Sequence, residues 1–215
     1  MNMFNTLTLR RSLLALALTA AASLAYADTT YQISLDTSSF SGTGWIDLQF
    51  NPGNLASTTL ASVTLTDFVG FGDSSTALIN GAVSGSLATG YTISNTDASG
   101  WNDLFHEVNY NGGTISFTVT FSGLADASQS SSQSVFSVSL MNSDATAYLG
   151  TTDASGSLVA LNYSAGLTDG SGSVAATPLV NSIPSSVTAV PEPSSWAMLA
   201  GGLALLGLAR RRKQA

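Results

Sequence analysis

The chain predicts an all-β fold, an antiparallel β-sandwich that is jelly-roll-like, on three observations. Apolar and polar residues alternate: over 114–121, Ile115, Phe117, Val119 and Phe121 fall on one face and Thr114, Ser116, Thr118 and Thr120 on the other, the period of a strand with one wet face. No stretch between 28 and 190 repeats the i, i+3, i+4, i+7 stripe of a helix. Ser, Thr, Gly, Asn and Asp fill the intervals between the alternating runs, so the strands are short and joined by turns. One-sided strands of this kind bury their apolar faces most simply against each other, in two packed sheets.

The first strand is expected at 31–35. Over 45–50, Ile46, Leu48 and Phe50 point inward, which turns Trp45 to the opposite sheet face or over an edge. Further strands are expected at 59–66, 83–87 and 91–94. A strand at 104–110 is followed by Asn111-Gly112-Gly113, read as a hairpin turn into 114–121 because a positive φ costs Asn and Gly little. The run 134–140 repeats the alternation with Phe136, Val138 and Leu140 inward, and 147–149 and 158–161 complete the set. Asp97-Ala98-Ser99-Gly100 recurs as Asp153-Ala154-Ser155-Gly156 without a fixed period, so both are read as turns opened by Asp rather than as a repeat architecture. From 165 to 189 the composition turns to Gly, Ser, Thr, Ala and Pro, the signature of a flexible linker, which bounds the sandwich at 28–164.

Both ends carry targeting patterns. Arg10 and Arg11 precede an apolar stretch at 13–22 that is too short to span a membrane, and Ala25-Tyr26-Ala27 supplies the small residues of a signal-peptidase site. Residues 1–27 are thus expected to be a signal peptide, with Asp28 the new N-terminus. The other end, 190–215, joins Pro191-Glu192-Pro193, a transmembrane helix expected at 195–209, and the basic cluster Arg210, Arg211, Arg212 and Lys213. As a helix the apolar run 196–209 covers about 21 Å, against a hydrocarbon core of roughly 30 Å. Insertion therefore relies on snorkelling arginines, which also hold that end in the cytoplasm. The two prolines withhold N–H donors and keep Glu192 extended outside the helix.

This order of Pro-Glu-Pro, short apolar helix and Arg-rich end resembles the PEP-CTERM signal of Gram-negative bacteria. The resemblance implies recognition and removal by an integral-membrane processing enzyme, an exosortase. Residues 31–37 (Tyr-Gln-Ile-Ser-Leu-Asp-Thr), 44–53, the 136–140 strand and Thr152-Asp153 are similar to the ectodomain of a PEP-CTERM family of unknown function. That similarity implies placement on the surface of, or outside, bacteria that make exopolysaccharide, biofilm or flocs, and it supplies no catalytic residues.

Charge sharpens the picture. All six Lys and Arg lie in the two terminal signals, while every acid but Glu192 of the chain's 13 lies in the domain between them. Such a polyanion cannot neutralise phosphates, which excludes nucleic acid as a partner. Cysteine is absent, so disulfides contribute nothing in an oxidising destination, and about 140 residues must hold together by a core alone.

Candidate chemistry concentrates in Trp101-Asn102-Asp103-Leu104-Phe105-His106-Glu107. On a strand Asp103 and Glu107 share a face with Phe105 while His106 points the other way, so a carboxylate-based glycan hydrolase is one alternative, beside the plain reading of a polar strand edge with its charges solvated. A Ser triad would have to use His106 as its base, and His106-Glu107 lacks the second histidine of a zinc-protease motif. Trp45, Trp101, Tyr91 and Tyr110 are candidates for a stacking platform, with Trp45, Trp101 and Asp103 the expected glycan contacts of a carbohydrate-binding alternative. No cofactor is required; Ca²⁺ is the one the acidic turns at Asp97, Asp144, Asp153 and Asp169 would suit, although none has the spacing of a dedicated loop.

The sequence thus reads as a non-enzymatic exported protein with signal peptidase and an exosortase as processing partners and exopolysaccharide as the matrix partner, passing from an inner-membrane precursor to the cell surface or the exterior. Intact mass of the protein from its host is expected to give a species that starts at Asp28 and lacks the segment after Val190. Glu192→Ala is expected to leave the tail in place.

Overall fold

Apolar side chains at every second position build the strands. In a computed structural model the structure describes residues 29–128 and 132–191. The signal-peptide assignment, with Ala25, Ala27 and Asp28, lies outside the described residues, as do Glu192, Pro193, the 195–209 helix and the basic cluster at 210–213. The strands are β1 (Thr29–Asp36), β2 (Thr43–Pro52), β3 (Ala61–Val69), β4 (Leu78–Asn80), β5 (Val83–Ser86), β6 (Gly90–Ser94), β7 (Asp103–Asn109), β8 (Thr114–Gly123), β9 (Ser134–Met141), β10 (Tyr148–Leu149), β11 (Val159–Ala165), β12 (Gly172–Ala176) and β13 (Ser185–Ala189).

They form two antiparallel sheets. Sheet A runs β13-β1-β8-β3-β6-β5 and sheet B runs β12-β11-β9-β2-β7-β4, with β10 paired to β9. Sheet A contributes Ile33, Val63, Leu65, Ile93, Phe117 and Phe121 to the core, and sheet B contributes Ile46, Leu48, Phe50, Phe136, Val138 and Leu161. Rings cross between the layers: Phe121 meets Phe50 at 6.1 Å and Phe136 at 6.0 Å edge-on, and stacks on Tyr163 at 5.7 Å. Each such ring buries 150 Å² or more, roughly 2–3 kcal/mol of hydrophobic stabilisation per side chain.

Three expectations need correction. The turn at Asn111-Gly112-Gly113 is not a hairpin, because β7 belongs to sheet B and β8 to sheet A. A single 3₁₀ turn, Tyr110–Gly112, capped by the Asn109 side chain and closed by Gly113 at φ 70, carries the chain from one layer to the other. Tyr110 leaves the strand to become a plug: it is 1% exposed and its hydroxyl donates to the Met141 carbonyl at 2.6 Å. The 165–189 linker is also overturned, since that stretch supplies β12 and β13, an edge strand to each sheet, and the compact unit runs to Pro191. Edge strands with only Val174 and Val187 turned toward the core need no apolar alternation, so their composition resembles a linker's. Finally β4, three exposed residues, adds an edge that carries no periodic signal.

One glycine is fixed by close approach. A Cβ on Gly44 would fall well inside contact with the Met141 carbonyl and the Tyr110 ring. Gly44→Ala forces the plug or the β2–β9 pairing to shift and is expected to destabilise the domain by about 1–3 kcal/mol, measured by urea unfolding against the wild type.

Candidate functional site

The alternation that fills the core leaves a second row of side chains on the outer face of sheet B. On β2 this row is Trp45, Asp47, Gln49 and Asn51, all half-buried; on β7 it is Asp103, Phe105 and Glu107. The register sets Trp45 opposite Glu107, Asp47 opposite Phe105 and Gln49 opposite Asp103. Trp45 and Phe105 are therefore diagonal neighbours, and their rings stack at 4.9 Å with planes 9° apart. The indole N–H donates to the Ser143 carbonyl at 3.2 Å.

Beside this stack lies a chain of polar groups. Gln49 Nε2 donates to Asp47 Oδ2 at 2.6 Å, Asn51 Nδ2 donates to Gln49 Oε1 at 3.1 Å, and the Asn102 N–H donates to Asn51 Oδ1 at 2.7 Å. Asp47 and Asp103 form the second diagonal. Their Oδ1 atoms are both shielded from solvent with no hydrogen-bond partner. Burial pushes Asp47 up to about 6 against the pull of the Gln49 amide, and the neighbouring charge of Asp103 adds to the rise. Burial raises Asp103 as well, opposed by a hydrogen bond from the Asn80 side chain. With no Lys or Arg in the domain, neither carboxylate has a cation to pair with.

The row continues past the strands. Trp101, two residues before Asp103, follows the same alternation and is 52% exposed. Beyond Gln49 and Asn51 a shallow groove of about 560 Å³ opens, lined also by Ser137, Asp153, Ser157 and Thr177. Of the three expected glycan contacts, Trp45 and Asp103 lie in this outer row, and Trp101 is exposed in the segment just before β7. Tyr91 and Tyr110 do not lie there: each is 1% exposed and part of the core. Asp47, Gln49 and Phe105 join the row through cross-strand register, which sequence alone does not give; only their position out of step with Ile46, Leu48 and Leu104 marks them as outward.

Asp103 and Glu107, the pair named for hydrolysis, lie on one strand four residues apart, a backbone separation of about 13 Å, with Phe105 between them. His106 turns into the core, 0% exposed, against the rings of Phe71 at 5.4 Å and Tyr91 at 6.2 Å. Its Nδ1 is 2.8 Å from the Glu107 carbonyl and its Nε2 has no partner, so the ring is sealed from the outer row and is not part of a solvated strand edge.

The acidic turns spend their carboxylates locally. Asp97 accepts from the Ser99 N–H at 2.8 Å and Asp153 from the Ser155 N–H at 2.9 Å, and each tetrapeptide closes on a left-handed glycine, Gly100 at φ 76 and Gly156 at φ 75. The repeated tetrapeptide is one turn built twice. Asp144 accepts from Thr146, and Asp169 from the Ala125 N–H at 2.7 Å. Hydrogen bonds from the Ser99, Thr146 and Ser155 hydroxyls, followed by those from backbone N–H groups, hold Asp97, Asp144 and Asp153 below the usual carboxylate range. No group of three His, Cys, Asp or Glu suited to a metal ion occurs among the described residues.

From the last residue of β13 onward, residues 189–213 match the PEP-CTERM protein-sorting motif, which takes in Pro191, Glu192 and Pro193 and the basic residues 210–213. The chain carries a PEP-CTERM sorting signal. No curated protein and no solved structure matches the chain. The PEP-CTERM motif marks an exported protein sorted and processed at the membrane by an exosortase-type enzyme. Its first two positions are still part of the fold: Ala189 lies opposite Tyr31 in β1, and the Val190 N–H donates to the Thr30 carbonyl at 2.9 Å.

The Asp47 and Asp103 diagonal gives the domain ahead of the PEP-CTERM motif a pH signature. With Asp47 at about 6 when folded against an ordinary 3.8, the folded state holds the extra proton between those values. The contribution of Asp47 to stability is then fully present below pH 4, falls as pH rises to about 6 and levels off above, by at most about 3 kcal/mol. Asp47→Asn removes the charge and is expected to unfold at higher urea than wild type at pH 7.5, by about 1–3 kcal/mol, with little difference at pH 4. Equal midpoints at pH 7.5 would contradict the assignment.

Proposed function

We propose that the mature domain is a non-enzymatic glycan-binding module, delivered by signal peptidase and exosortase processing to the cell surface or the exterior, where it adheres to exopolysaccharide in a biofilm or floc. One observation carries the reading: the outer face of sheet B aligns the Trp45 and Phe105 stack, Asp47, Gln49, Asp103 and Asn51 in one row, with exposed Trp101 two residues before Asp103 in the chain. Indole faces take the C–H faces of sugars, and carboxylate and amide oxygens take their hydroxyl protons. From position 45 to position 51 the row covers about 20 Å of strand, a length suited to several linked sugar rings. The groove beyond Asn51, lined by both polar and apolar side chains, extends it. An acidic, lysine-free and arginine-free surface favours a neutral or cationic polysaccharide over an anionic one.

The test is retention by affinity electrophoresis in gels cast with the host's own exopolysaccharide. Trp45→Ala is expected to weaken retention at least tenfold, and Trp101→Ala or Asp103→Asn by smaller factors, each measured under conditions where circular dichroism shows the variant fully folded. Thr118→Ala on the outer face of sheet A is expected to change nothing. Retention that survives loss of both tryptophans would overturn this face as the binding site, and a wild type that is not retained would reduce the domain to a structural spacer. Release of reducing sugar that disappears in Asp103→Asn would instead favour the hydrolase.

A further inference from the structure

The sorting signal begins inside a β-strand. The PEP-CTERM match starts at residue 189, and Ala189 is the last residue of β13, paired with Tyr31 of β1. Val190 adds one more backbone hydrogen bond, to Thr30, so Pro191 is the first residue past the sheet and Glu192 follows it directly. The β1 partner segment is itself the start of the domain, since Thr30 and Tyr31 lie three and four residues past Ala27. Folding therefore brings the two ends of the mature chain into register with each other.

An enzyme that cuts a peptide takes several residues on each side of the bond in extended form, using the same backbone N–H and C=O groups that a sheet partner uses. On the side of the sorting tripeptide toward the N-terminus those groups are committed to β1. On the other side little chain is available, because from Val190 to Trp196 the fully extended chain reaches only about 20 Å. The strand is built to let go: in β13, Ser185, Ser186, Thr188 and Ala189 are exposed and only Val187 is half-buried. Just before it stands an anchor, Ile183, buried at 7%, followed by Pro184, whose carbonyl still accepts from the Asp36 N–H at 2.9 Å. Peeling as far as Pro184 would add about 17 Å of reach while leaving the core residue in place.

We propose that release of β13 from β1 gates processing of the sorting signal: the exosortase cuts when the edge strand is peeled and is excluded while it is paired. The gate rests on the reading that an exosortase processes this tail. Its unpaired state is the minor one, so the rate of tail removal follows how often the edge strand opens.

A cross-strand lock tests this in the native host. Gln32 and Thr188 are directly opposite in the β1–β13 register, and both are exposed. Opposed residues have Cα atoms about 4.5–5.5 Å apart, within the range of a disulfide. The chain has no other cysteine, so Gln32→Cys with Thr188→Cys can form one bridge only. Intact mass and gel shift with and without reductant would be followed for the wild type, each single-cysteine variant, the double variant and Thr188→Pro, which loosens the strand. The expected result is that the bridged pool keeps its tail, with processing slowed at least tenfold, while the single-cysteine variants are shortened like wild type and Thr188→Pro is shortened faster. Shortening of the bridged pool at the wild-type rate overturns the gate while leaving the sorting reading intact. A wild type that keeps its tail removes the sorting reading and the gate with it.

Discussion

The domain depends on the contact between two apolar sheet faces, and within it on Phe121. That ring meets Tyr31 at 6.3 Å from its own sheet, and Phe50, Phe136 and Tyr163 from the other. A few hydrogen bonds also tie the layers at their margins, such as Asn109 N–H to the Gly70 carbonyl at 2.8 Å and Asn95 Nδ2 to Ser134 Oγ at 2.8 Å. The chain has no cysteine, and between its terminal signals it has no lysine or arginine, so neither disulfides nor Lys or Arg ion pairs hold the sheets. Edge-to-face rings add about 0.5–1.5 kcal/mol each beyond their burial, and they do so in a geometry that fixes how the sheets are set against each other. The outer rows and the loops take their positions from that alignment.

The outer face of sheet B is where this economy is relaxed. A sheet face optimised for stability would not place Asp47 diagonally beside Asp103, half-buried, with an oxygen of each left without a donor. Burial and mutual repulsion both act against the charged pair. The turns show the contrast: Asp97 and Asp153 point at N–H groups of their own loops and are stabilised there. The unpartnered Oδ1 atoms are shut off from solvent, so they add to the cost of this face rather than offering acceptors to the outside. A face that carries such a cost beside a stacked indole is the contrast that supports the glycan reading.

The fold was legible where residues alternate and illegible where they do not. Ile115, Phe117, Val119 and Phe121 announced β8, and Ile46, Leu48 and Phe50 announced β2, because a half-buried strand cannot hide its period. The strands β12 and β13 lie at sheet edges, bury almost nothing and are made of the residues that also make linkers, so composition pointed the wrong way. The turn at Tyr110 was legible as a turn but not as a change of layer, since a left-handed Gly113 serves both. At the candidate site, Trp45, Trp101 and Asp103 could be singled out by chemistry, and His106 could be turned away from them by counting. That Asp47 adjoins Asp103 and that Phe105 supports Trp45 follow from pairing register, a property of two distant segments. The sorting tail needed no fold at all, because three unlike local features in a fixed order carry it.

The complete removal of lysine and arginine from the stretch between Ala27 and the C-terminal cluster has one further effect. Proteases whose specificity pocket holds an acid grip a basic side chain before they cut. To such enzymes the mature domain offers no side chain to grip, in its folded state or in any partly opened one. Once both signals are gone, it would pass through a trypsin-like digest as a single piece.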